Sequence, residues 1–164
     1  MLDRTLEPEV MDTLEEAFDY DTMDHSDVNR LFVDEMLVAA RSLGFADLEN
    51  LETESPRILD VGTGTALIPI EYCQRNLNGD IWACDLAVEM LRLAESNIRE
   101  AGLHGRIILT HTDAKGLDFD DAEFDCVMSN SIIHHIPEPA ACLQEMLRIL
   151  RPGGFLFVRD LSRP

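Results

Sequence analysis

From Pro56 onward, short runs of consecutive apolar residues alternate with longer segments in which apolar positions recur every three to four residues. The first pattern predicts strands buried on both faces, and the second predicts amphipathic helices. The spacing places strands at Arg57–Val61, Ile81–Asp85, Arg106–Thr110, Phe124–Asn130 and Gly154–Asp160, and helices at 66–76, Val88–Ala101 and Pro139–Leu150. This order predicts an α/β fold with a doubly wound, mostly parallel sheet. Upstream, residues 8–24 are weakly helical, and Val28, Leu31, Phe32, Met36, Leu37, Ala40 and Leu43 mark a stronger amphipathic helix with Ser26 as N-cap and Gly44 as stop. The chain is therefore divided into a helical N-terminal extension, residues 1–54, and an α/β domain, residues 55–164.

Charge sharpens this division. The 164 residues carry a formal charge of -19, and residues 1–54 hold 16 acidic against 3 basic side chains, whereas the remainder holds 16 against 10. Such a surface repels phosphate backbones and anionic lipid, so neither nucleic acid nor a membrane is an expected partner, and a neutral or cationic small molecule is. The extension reads as a solvated helical face or as an acidic lid. No apolar run approaches the ~20 residues that span a bilayer, and the N-terminus lacks the basic and apolar regions of a signal peptide, which predicts a cytoplasmic protein. Cys73, Cys84, Cys126 and Cys142 have no metal-ligand spacing and sit in apolar stretches, as reduced core residues do.

The chemistry-bearing residues fall where strands end. Asp60, Gly62, Thr63 and Gly64 follow the first strand, Asp85 ends the second, Asp113 follows the third and Asn130 ends the fourth. Ligands of doubly wound sheets bind along that rim, glycines admit the ligand to the backbone, and an acid after the second strand suits ribose hydroxyls. A nicotinamide dinucleotide reading requires a third small residue where Leu67 stands, and a carboxylate at Asp60 repels a pyrophosphate but suits a ligand with an ammonium group.

At these residues a resemblance becomes specific. Ile58-Leu59-Asp60-Val61-Gly62-Thr63-Gly64 resembles the first motif of class I S-adenosylmethionine-dependent methyltransferases of the small-molecule, type 11-like kind. Asp85-Leu86-Ala87-Val88-Glu89-Met90-Leu91, Thr112-Asp113-Ala114, Phe124 to Asn130 and Leu147 to Gly154 are similar to their later segments, in the family's order over about residues 56–160. The resemblance implies a Rossmann-like sheet, S-adenosylmethionine as cofactor, S-adenosylhomocysteine as product, and methyl transfer to an O, N or C atom of a small-molecule acceptor. It implies that Gly62, Thr63 and Gly64 approach the methionine portion and that Asp60 orients its amino group. Asp85 would hold the ribose, with Leu86 and Met90 beside the adenine. Asp113 and Ala114 would meet the adenine edge, and Asn130 would line the pocket near the methyl. Ala66, where many relatives have a third glycine, implies altered loop geometry with binding retained. The sequence Ser129-Asn130-Ser131-Ile132 differs from the Pro-Pro-aromatic ending of enzymes that methylate amino groups of adenine bases or glutamine, which argues against those acceptors.

His134 and His135 are the candidates for a general base; packing beside the next helix is the competing role, and adjacent histidines are poorly placed to share a metal. Methyl transfer needs no elaborate machinery, because the sulfonium is already electrophilic and alignment supplies much of the rate. The family's sheet continues beyond the fifth strand. The apolar run Phe155 to Val158 would be hazardous as an open edge, so the chain is expected to be part of a longer protein or to cover that edge as a homodimer. A non-catalytic cofactor-binding or regulatory module is the alternative function, with an oxidoreductase a more distant one.

Overall fold

The computed structural model describes residues 13–161. It contains helices α1 (Leu14–Thr22) and α2 (Ser26–Ser42), then β1 (Arg57–Val61), α3 (Leu67–Gln74), β2 (Asp80–Asp85), α4 (Val88–Glu100), β3 (Ile107–His111), β4 (Phe124–Asn130), α5 (Pro139–Ile149) and β5 (Leu150–Arg159). The strands form one sheet in the order β3-β2-β1-β4-β5, and every pairing is parallel. β1 lies between β2 and β4, so the winding reverses beside it and opens a crevice at the carboxyl ends of the two central strands.

Alternation along the strands divides the core in two. Ile58, Ile81, Ala83, Cys126, Met128 and Phe155 face α2, α3 and α4, while Leu59, Val61, Cys84, Phe124 and Val127 face α5 and the loop carrying Leu117 and Ile136. β4 is buried along six of its seven residues, as expected of a central parallel strand. All four cysteines are buried thiols, and burial raises the pKa of each. Among the described residues no helix is long and apolar enough to cross a membrane, and no metal-holding cluster of His, Cys, Asp or Glu is present.

Two local expectations are revised. Ser26 is not the N-cap of α2: His25 occupies that position, and Asp24 Oδ1 accepts from Ser26 N (3.0 Å) and Oγ (2.6 Å). A carboxylate two residues upstream thus captures the amide that starts the helix. β5 begins at Leu150 rather than Gly154, because Arg151 to Gly154 continue along β4 through a register shift between Phe124 and Cys126. β5 stands at one end of the strand order, and the two faces of its apolar run are packed, as a strand buried on both faces requires. Phe155 and Phe157 pack with the α2 side, where Phe157 meets Phe32 edge-on at 5.1 Å, and Leu156 and Val158 pack toward α5. The weak helix expected over 8–24 is observed as α1, and its first part lies outside the described residues.

Candidate cofactor site

The glycine turn after β1 is held by the end of β2: Gly62 N and Thr63 N both donate to Cys84 O at 2.9 Å. Gly62 has φ +74°, and a Cβ there would stand 2.2 Å from Ile132 Cγ2, so only glycine lets the loop after β4 close on this turn. Ala66, where the resemblance leads one to expect a third glycine, is the N-cap of α3 with φ 64°. An alanine thus holds a left-handed conformation that glycine would adopt without steric cost.

Asp85 locks the turn to the second strand. Its Oδ2 accepts from Gly64 N (2.8 Å), and its Oδ1 accepts from Ala87 N (2.9 Å) at the start of α4. Burial raises its pKa, against the backbone hydrogen bonds from Ala87, Gly64 and Leu86 and the charge of His111. Asp60 is only 2% exposed. Burial pushes its carboxyl up to about 7; the nearby Thr63 hydroxyl opposes this and the Asp85 charge adds to it. Asp60 Oδ2, Thr63 Oγ1 and Thr65 Oγ1 are buried without hydrogen-bond partners among the described residues. Unsatisfied buried oxygens beneath a glycine turn suit a ligand that brings its own N–H donors.

A cavity of about 320 Å³ opens above this frame. Of the residues singled out in the sequence, Gly62, Gly64, Asp85, Leu86, Met90, Asp113, Ala114, Asn130, His134 and His135 all line it. Four separate strand ends therefore converge on one crevice. Asp60 and Thr63 are not on its wall, and Asp60 is buried close enough to Tyr20 to raise that residue's pKa. On the adenine side expected from the resemblance, Asp113 Oδ1 accepts from Lys115 N (2.9 Å) and meets Lys115 Nζ at 3.0 Å. Its burial works upward, but these Lys115 contacts keep the carboxyl below its ordinary value.

Sequence reasoning did not identify Tyr20, Lys115, Ile132 or Leu161, which also line the cavity. Tyr20 comes from α1: its ring lies 3.7 Å from where a Gly64 Cβ would stand, and it stacks on His25 at 4.4 Å. Burial first, then the charges of Asp60, Asp85 and Asp21, raise its pKa. The only sequence signal for this contact was a helical, acidic segment ahead of the sheet.

Residues 59–158 match the family described as a methyltransferase domain. Among curated relatives, the ubiquinone/menaquinone biosynthesis C-methyltransferase UbiE of Proteus mirabilis is 29% identical over 109 residues, covering 66% of this chain and 43% of that protein. The chain thus spans less than half the length of this relative. Two solved structures are also similar. The [4+2]-cyclase SpnF has a TM-score of 0.61 and 29% identity over 73% of this chain and 44% of its own. An S-adenosylmethionine-dependent methyltransferase from Methanosarcina mazei has a TM-score of 0.58 and 26% identity over 65% of this chain and 52% of its own. With the parallel sheet, the reversal beside β1 and the family match over most of the α/β domain, the chain belongs to the methyltransferase-domain family, whose cofactor is S-adenosylmethionine.

Proposed function

We propose that the crevice above Gly62 and Gly64 binds S-adenosylmethionine and that the protein transfers its methyl group to a small-molecule acceptor. The observation that carries this reading is the convergence of Gly62, Gly64, Asp85, Met90, Asp113 and Asn130 on one cavity. Asp85 is fixed by two backbone amides and keeps further lone pairs for ribose hydroxyls. Asp113 is placed to accept from the adenine amino group beside Ala114, with Leu86 and Met90 as apolar walls. Asp60, buried behind the turn, supplies negative potential for the ligand's ammonium group, and Asn130 lies near the reacting methyl. When bound, the cofactor supplies the electrophilic methyl; the chain's residues orient it and exclude water.

The segment 1–54 acts as a helical lid on the cofactor-binding domain 55–164, and Tyr20 is its contact with the cavity. The UbiE likeness makes a carbon atom a reasonable acceptor to test beside oxygen and nitrogen. A second reading is favoured by SpnF, a [4+2]-cyclase on a similar fold: this chain binds the cofactor without transferring its methyl.

Isothermal titration with S-adenosylmethionine, S-adenosylhomocysteine and NADH tests the cofactor. Binding of the two sulfur ligands and not of NADH is expected, and Asp85→Ala should weaken it by about 5- to 150-fold, the equivalent of ~1–3 kcal/mol for lost hydrogen bonds. Unaltered affinity in the folded variant would remove Asp85 from the site. Binding by a chain that transfers no methyl group to any oxygen, nitrogen or carbon acceptor would favour the second reading.

A further inference from the structure

Asn78 and Gly79 lie between α3 and β2, at the amino end of the strand and away from the crevice. They form the one Asn-Gly pair in the sequence, and both are buried. Packing requires the glycine: its φ is +134°, and a Cβ there would stand 2.5 Å from Ile58 Cδ1 and 3.3 Å from Pro56 O. Hydrogen bonding requires the asparagine. Four oxygens of the connection between α2 and β1 surround its Nδ2: Asn50 O at 2.9 Å, Asp47 O at 3.2 Å, Thr53 Oγ1 at 3.3 Å and Glu54 O at 3.4 Å. Its backbone N donates to Leu48 O (2.9 Å), and its carbonyl accepts from the Tyr72 hydroxyl. One residue therefore fastens segment 47–54 to the turn before β2.

An asparagine followed by glycine is also the pair most prone to cyclise, because no side chain on the second residue shields its amide nitrogen. The fold thus needs, side by side, two residues whose neighbourhood is chemically unstable. We propose that Asn78 is a modification site, closed by segment 47–54 and opened when that segment lifts, and that its conversion to aspartate or isoaspartate unfastens the segment irreversibly. The inference uses no assignment made for the crevice, and its only co-reactant is water. The Gly79 nitrogen gives its proton to solvent hydroxide and bonds to Asn78 Cγ. The Cγ–Nδ2 bond breaks, and Nδ2 leaves as ammonia with a proton taken from water. Water then opens the succinimide ring, at one carbonyl to aspartate and at the other to isoaspartate, whose extra methylene lies in the main chain. In the closed structure, burial keeps solvent from the Gly79 nitrogen, and the amide that must leave is held by its acceptors. After conversion, the two N–H donors are replaced by a carboxylate oxygen. That carboxylate faces three carbonyl oxygens and the Thr53 hydroxyl, of which only the hydroxyl has a hydrogen to donate, so repulsion and desolvation add to the loss of the hydrogen bonds.

Peptide mapping by mass spectrometry, with the aspartate and isoaspartate products separated chromatographically, follows conversion at residue 78 of the full chain at mildly alkaline pH. The folded chain should convert at least about 100-fold more slowly than the chain unfolded in urea. At subdenaturing urea, conversion should rise in step with amide hydrogen exchange over 47–54. Conversion of the folded chain at the unfolded rate overturns the closure, and so does a rate that stays flat while those amides open. Absence of conversion at residue 78 in the unfolded chain overturns the site itself. Asn78→Asp should raise exchange over 47–54 by at least about tenfold while β4 stays protected. Exchange equal to that of the wild type overturns the consequence. Should Asn78→Asp not fold, the converted wild-type chain, separated by its added negative charge, carries that measurement.

Discussion

Asp60 is the residue whose environment is hardest to reconcile with a purely structural role. A carboxyl held up to about 7 binds its proton more tightly in the folded chain than in the unfolded one, where the ordinary value is 3.8. Unfolding then releases a proton in this interval. Asp60's contribution to stability is intact below about pH 4 and declines as pH rises through about 7, by up to ~4 kcal/mol. Thermal melts of the unliganded chain should fall across that window, and Asp60→Asn should flatten the fall. A cationic ligand reverses the preference, because an ammonium group beside the turn favours the ionised form. S-adenosylmethionine affinity should therefore rise from about pH 6 to about pH 8, with release of a proton measurable by titration in buffers of different ionisation enthalpy. A pH-independent affinity with no proton release would place the ligand's charge away from Asp60.

At the scale of elements, α1 is the piece that connects the acidic extension to the crevice. It opens with a capping box, in which Glu16 N donates to Thr13 Oγ1 (3.2 Å) and Thr13 N donates back to Glu16 Oε2 (3.3 Å). Ala17 and Tyr20 pack on Ala87, Met90 and Leu93, so a small apolar cluster seats the helix against α4. The polar tie is Asn97, whose Nδ2 donates to Asp21 Oδ1 (2.8 Å) and to Thr65 O (3.2 Å). A single α4 side chain thus joins α1 to the loop before α3. Asn97→Ala should raise hydrogen exchange over Leu14 to Thr22 by several-fold while leaving β1 and β4 protected, since a lost hydrogen bond of ~1 kcal/mol corresponds to a roughly fivefold increase in local opening. Equal exchange in both proteins would show that the apolar cluster alone seats α1.

The strands were legible because a parallel strand buried on both faces writes itself as a continuous apolar run: Arg57–Val61 and Phe124–Asn130 are observed with the expected bounds. The start of β5 was hidden because Arg151-Pro152-Gly153-Gly154 reads locally as a turn, whereas its backbone follows β4 through an irregular register. Residues on the rim were readable from their positions at strand ends. Tyr20 and Asp160 were not, because each reaches the crevice through contacts distant in sequence: Tyr20 across the fold from Gly64, and Asp160 through His134, 26 residues earlier. Local periodicity carries no record of such pairs.

For the whole molecule, the uneven charge meets a shared core. Phe32, Val33, Met36 and Leu37 of α2 are buried in the same cluster as Ile58, Tyr72 and Phe155, so α2 is seated on the sheet. Arginines of the α/β part meet it: Arg75 contacts Asp34 (2.6 Å) and the Arg30 carbonyl (2.9 Å), and Arg159 reaches Glu35 at 3.5 Å. These pairs are partly open to solvent, where an ion pair is worth ~0–1 kcal/mol. Against them stands the mutual repulsion of 32 acidic side chains facing 13 basic ones. Salt weakens both, but the unbalanced repulsion is the larger sum, because each excess carboxylate interacts with many like charges within a Debye length of about 10 Å. Raising sodium chloride from about 20 mM to about 500 mM, which shortens that length severalfold, should therefore raise the melting temperature of the unliganded chain. A fall over the same range would mean that the Arg75 and Arg159 links hold the acidic helices to the sheet more strongly than their carboxylates repel one another.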